Sequence, residues 1–197
     1  MQSASLVGKH KWDITSYYAL SLRKYRMEEF NSPFIISQPK GKHQINQYWS
    51  GRFDYGISER LDIRIGTDME LQNDYESINS YNRYHLIIGP KFSLIKSKIA
   101  FYAPIAIAIQ KNNRVKTYFK PVLIFSQSVN HFIEINTSFS WIMDNYWTDG
   151  FYTANLCPTF TINDQFKIRA ETGFHYDPNS KNNKIGYGLG CTWLVSK

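Results

Sequence analysis

The sequence predicts an all-β fold: one antiparallel, up-and-down transmembrane β-barrel of about ten strands, apolar outside and polar and charged inside. Three observations predict it. The segment LDIRIGTDMELQ alternates without a break for twelve residues, long and short connections succeed one another regularly, and charges and glycines collect on one strand face.

In that segment Leu61, Ile63, Ile65, Thr67, Met69 and Leu71 fall on one side of an extended chain. Asp62, Arg64, Gly66, Asp68, Glu70 and Gln72 fall on the other, a sorting that only period two produces. At about 3.3 Å per residue the run spans on the order of 40 Å, long for a globular strand and enough to cross a tilted path through hydrocarbon.

Taken in order, residues 11–23 set Trp12, Ile14, Tyr18, Leu20 and Leu22 against Asp13, Thr15, Tyr17 and Arg23. Residues 25–43 are polar, hold Pro33, Pro39 and Gly41, and read as a long loop. Residues 44–57 alternate again, and 58–60 turn tightly into the strand just described. A second polar loop covers 73–82, after which 85–94 and 99–110 form a pair joined by the short turn 96–98. Residues 115–126 and 131–142 make the next pair, with 111–114 before it and 127–130 within it. The loop 143–150 leads to strands 151–162 and 166–176, and the loop 177–183 to the last strand, 185–195. Connections after the odd strands are mostly long and those after the even strands short, the habit of an outer-membrane barrel. With an even number of strands both chain ends fall on the short-turn rim. The expectation is therefore one domain over 1–197, with 1–10 an N-terminal periplasmic segment and 11–195 the barrel.

Composition is consistent with this and excludes other classes. Aromatics make up 16% of the 197 residues, mean hydropathy is -0.41, and no apolar run approaches the length of a transmembrane helix. The net charge of +7 is spread over many short segments without a basic cluster or binding motif, which argues against nucleic acid. Cys157 and Cys191 lie on opposite faces of non-adjacent strands, so no disulfide is expected. The start, MQSASLVGKHKWD, lacks the apolar stretch of a secretory signal, so an outer-membrane location carries the expectation that a signal peptide has been removed.

Alternation leaves open which face is inside, and a soluble, lipocalin-like barrel around a hydrophobic ligand is the rival. The polar face collects eight cations, Arg23, Arg52, Arg64, Lys91, Lys116, Lys120, Lys167 and Arg169. Against them stand seven anions, Asp13, Asp54, Asp62, Asp68, Glu70, Glu134 and Glu171. Near balance suits charges confined together in a lumen. The same face carries glycines 56, 66, 89, 173, 186, 188 and 190, which leave room for long side chains crossing a narrow bore. On the apolar face, Trp12, Tyr55, Phe166 and Trp193 sit at the short-turn ends of strands and Tyr176 and Tyr187 towards the other, where membrane interfaces place aromatics.

The segments QSASLVGKHKWDI, YGISERLDIRIG, GPKFSLIKSKIAFYAPIAIAI and IGYGLGCTW resemble small outer-membrane β-barrel proteins of Gram-negative bacteria, especially Bacteroidota. The resemblance is one of pattern over the whole chain. It implies a monomeric, non-enzymatic membrane protein: a structural or binding element, or a narrow, porin-like conduit with a largely plugged lumen. Such barrels typically end on an outward aromatic, whereas here Leu-Val-Ser-Lys follows Trp193.

Some barrels of this size hydrolyse substrates at the long-loop rim, for which Asp74, Glu76, Asp144, Asp149, His175 and Asp177 are the candidates, with His175 as general base. No spacing unites them, and solvated loop carboxylates are the simpler reading. His10, His43, His85 and His131 show no metal-ligand pattern, and no phosphate-binding or dinucleotide fingerprint is present, so neither metal nor cofactor is expected. The expected partner is outer-membrane lipid, whose lipopolysaccharide phosphates could meet the basic loop residues Arg26, Lys40, Lys42, Lys111, Arg114, Lys181 and Lys184.

Overall fold

The computed structural model describes residues 3–24, 43–72, 81–109, 115–143, 150–178 and 182–195. Twelve strand segments follow in order: β1 (Trp12–Lys24), β2 (His43–Ser58), β3 (Leu61–Gln72), β4 (Tyr81–Ile95), β5 (Ile99–Tyr102), β6 (Ile105–Ile109), β7 (Val115–Phe119), β8 (Val122–Ser128), β9 (Ile133–Met143), β10 (Gly150–Thr161), β11 (Phe166–Asp177) and β12 (Asn182–Val195). All pairings are antiparallel between neighbours, and β12 returns to β1 with Val195 opposite Trp12, closing the ring.

The ring has ten staves, because β5 with β6 and β7 with β8 are each one stave interrupted. Where the sequence alternates continuously over 99–110 and 115–126, the structure breaks at Ala103 and Pro104 and again at Lys120 and Pro121. Proline has no N–H to give a ladder and fixes φ, so both staves bend there. The proline carbonyls still accept: Ala103 N donates to Pro90 O at 3.0 Å, Lys120 N to Pro104 O at 3.1 Å, and Trp141 N to Pro121 O at 3.3 Å. The interruption is thus bridged from stave to stave.

Four short connections, 59–60, 96–98, 129–132 and 162–165, lie at one rim. Asn130 and Asn163 hold two of them by accepting backbone N–H bonds at their side-chain oxygens, from Ile133 at 2.9 Å and Phe166 at 2.8 Å. The expected long loops fall on 25–42, 73–80, 110–114, 144–149 and 179–181, outside the described residues.

The apolar face points outward. Ile105, Phe139 and Leu189 are 55, 56 and 65% exposed, whereas Asp62, Arg64 and Lys91 are 0, 5 and 2% exposed. A soluble barrel around a greasy ligand needs the reverse. The interior is not polar all round, however: Ile87, Ala100, Tyr102, Ala106, Val122 and Ile124 form an apolar arc of its wall across β4 to β8. Cys157 faces inward, Cys191 outward, and both are free thiols.

Ahead of β1, residues 3–7 enter the lumen from a turn at residues 9–10. Ala4 is fully buried within the apolar arc and Ser3 nearly so.

Candidate functional site in the lumen

Alternation aims every second side chain of each stave into one narrow space, and the ladder register then decides which of them meet. Asp54 of β2 lies opposite Arg64 of β3. Arg64 donates Nε to Asp54 Oδ1 at 2.5 Å and Nη2 to Oδ2, a two-pronged pair sealed from solvent. Its guanidinium also sits 5.2 Å from the centroid of the Tyr102 ring. Around this pair the short-turn half is closely bonded. Thr15 Oγ1 donates to Asp13 Oδ1 at 3.0 Å and meets Thr192 Oγ1 at 2.9 Å. Ser126 Oγ donates to Asn136 Oδ1, and Asn136 Nδ2 to Thr159 Oγ1 at 3.0 Å.

A second layer lies nearer the long-loop rim. Arg52 Nη2 reaches Asp68 Oδ1 at 2.6 Å, Ser50 Oγ donates to the same oxygen at 2.7 Å, and Arg52 Nη1 donates to Thr67 O at 3.1 Å. Above it His85 Nδ1 and Tyr118 Oη are 2.6 Å apart. Tyr17 lies across the backbone of β12 at Gly188, where a Cβ would overlap its ring, so the glycine ladder of the last strand makes space for a side chain crossing from its neighbour.

Of the charges assigned to the lumen, Asp54, Asp62, Arg64, Lys91 and Arg169 are buried, and Asp13, Arg52, Asp68, Lys120, Glu134, Lys167 and Glu171 partly so. Lys116 is exposed towards the long-loop rim. Arg23 and Glu70 occupy their strand positions, but their side chains lie outside the described residues. So do those of the rim candidates Asp74, Glu76, Asp144, Asp149 and Asp177, leaving His175 alone of that set described. Among the described residues no group of three metal-capable side chains converges.

At the short-turn rim Trp12 stands beside Tyr55 and Phe166 beside Trp193, ring centroids 5.7 and 6.3 Å apart, two pairs on four adjacent staves. At the other rim Tyr176 and Tyr187 are exposed as expected. Two further aromatics belong with them. Trp141 and Tyr152 stack at 5.9 Å and 12°, beside Tyr176, and line an outward, bilayer-facing groove of about 520 Å³ with Phe101, Leu123 and Phe139. Their outward parity near strand ends was available in the sequence. Nothing in it marked the segment 3–7.

Neither a protein-family model nor a curated protein sequence matches the chain. Solved structures do. An outer membrane channel from Pseudomonas putida F1 superposes with a TM-score of 0.60 at 8% identity, covering 98% of each chain. The translocator domain of the autotransporter NalP from Neisseria meningitidis gives 0.50 at 6% identity, covering 94% of this chain and 89% of that one. The fold is that of a transmembrane outer-membrane β-barrel. At such identities the similarity lies in architecture; this barrel is filled by two layers of paired charge, an apolar arc and a length of its own backbone.

Proposed function

We propose that the protein is a non-enzymatic outer-membrane barrel of a Gram-negative, Bacteroidota-like bacterium, acting as a narrow solute conduit whose lumen is largely plugged. The observation that carries this is the pairing of an apolar exterior with inward-facing ion pairs between the neighbouring strands β2 and β3, Asp54 with Arg64 and Arg52 with Asp68. A purely structural barrel could be filled more cheaply with apolar side chains, since desolvating charges is costly. The channel from Pseudomonas putida, sharing the fold over nearly its whole length, supports the conduit reading. The Bacteroidota-like origin rests on the pattern resemblance of the strand segments alone.

The short-turn rim, where β1 begins and β12 ends, is then periplasmic. Outer-membrane lipid surrounds a monomer, and lipopolysaccharide phosphates meet the basic loop residues. Planar-bilayer recording tests the function. The unaltered protein gives a mostly closed trace with brief, small openings, and the double variant Arg52→Ala, Asp68→Ala raises the open-state conductance by clearing the upper layer. A flat trace from both sinks the conduit.

A further inference from the structure

The short-turn half of the lumen holds a stretch of the protein's own chain. Gly8 and His10 take left-handed φ angles of 94° and 59°, Lys11 N donates to Gly8 O at 3.1 Å, and His10 N donates to Gly56 O at 2.8 Å. This reversal points residues 3–7 into the barrel instead of away from it. It depends on Gly56, because a Cβ there would overlap the Gly8 carbonyl.

Inside, three lumen side chains hold the segment. Ala4 N donates to Ser126 Oγ at 2.6 Å, Val7 N donates to Asp62 Oδ2 at 3.0 Å, and Lys91 Nζ donates to Ser5 O at 2.6 Å. Each of these contacts is to main chain. Asp62 and Lys91 offer a charged acceptor and a charged donor to the two successive peptide units that flank Leu6. Ala4 is fully buried among Ile87, Ala100, Val122 and Ile124. The lumen thus reads main-chain polar groups and one small side chain.

We propose that this half of the lumen is a binding site for one short, uncharged peptide segment, which residues 3–7 occupy in cis and a short free peptide with a small side chain occupies once they leave. The proposal rests on the conduit reading in one respect: it names what closes the short-turn end and what class of solute fits there. Tethering supplies the segment at an effective concentration on the order of millimolar, so a free competitor acts only in that range.

Thiol labelling in micelles tests it without any ion flow. Ser3→Cys is nearly isosteric and places a thiol at a position 8% exposed, Lys9→Cys places one at an exposed position, and the unaltered protein with Cys157 and Cys191 is the blank. With a charged maleimide, Ser3→Cys reacts at least about ten-fold more slowly than Lys9→Cys, since reaction waits on local release of the segment. Adding Gly56→Ala removes that protection, and acetyl-Ser-Ala-Ser-Leu-Val-amide at several millimolar accelerates the reaction in the Gly56 protein.

Equal rates for Ser3→Cys and Lys9→Cys, or a protected thiol that the peptide leaves unchanged, overturn the proposal. The conduit fails separately: a protected, peptide-released thiol in a protein silent in bilayers supports the site and removes the conduit. Openings from a protein whose Ser3→Cys is unprotected do the opposite.

Discussion

Arg64 is buried in the lumen, with Asp54 as the carboxylate at bonding distance. The residue is 5% exposed, its guanidinium bonded on two nitrogens to Asp54 and packed near the Tyr102 ring. Replacing Asp54 by Ala leaves a buried cation without its counter-ion, and this is expected to cost about 3–5 kcal/mol in urea unfolding from lipid vesicles. The double change Asp54→Leu, Arg64→Met removes both charges and recovers most of that loss. The parity of both residues was legible in the sequence, and so was the near balance of charge. Which carboxylate meets which cation was not, because pairing depends on ladder register. Here a bulge between Gly56 and Ser58 shifts that register, and no local sequence signal announces the bulge.

Among the elements, strand positions were legible to within a few residues because period-two sorting is imposed separately on every stave. The breaks at Pro104 and Pro121 were hidden by the same regularity: Tyr102, Pro104 and Ala106 keep inward parity straight through the interruption. Their effect is on local stability. The hairpin of β6 and β7 joins its neighbours through short ladders, with a single bridge from β7 to β9, whereas β2 and β3 pair along almost their whole length. Hydrogen–deuterium exchange in micelles is therefore expected to show faster exchange over 105–109 and 115–119 than over β2 and β3. Equal protection contradicts it. The segment 3–7 was illegible for a different reason: its contacts are made by backbone, so five residues of SASLV carry neither period nor motif.

At the scale of the whole molecule, the decisive property is that bulky apolar side chains face outward around the ring. Leu189, 65% exposed and at mid-stave opposite Tyr18 and Ala170, lies where the hydrocarbon is deepest. Leu189→Arg is expected to cost about 2–4 kcal/mol in vesicles. The unaltered protein is expected to stay folded in micelles or lipid and to aggregate in buffer, as followed by circular dichroism and light scattering. Architecture at this scale was the most legible part of the chain, since strand length, connection rhythm and face composition all give one answer. The filling of the barrel was the least, being a matter of which groups happen to converge.

The uneven lining of the bore has a consequence for anything that travels along it. Water wets the side lined by carboxylates, guanidinium groups and hydroxyls and withdraws from the side lined by Ile87, Ala106 and Ile124. A molecule with unlike flanks is turned to match, greasy flank to dry wall, before it has moved any distance. For a conducting barrel lined in this way, wetting would set orientation as much as width does.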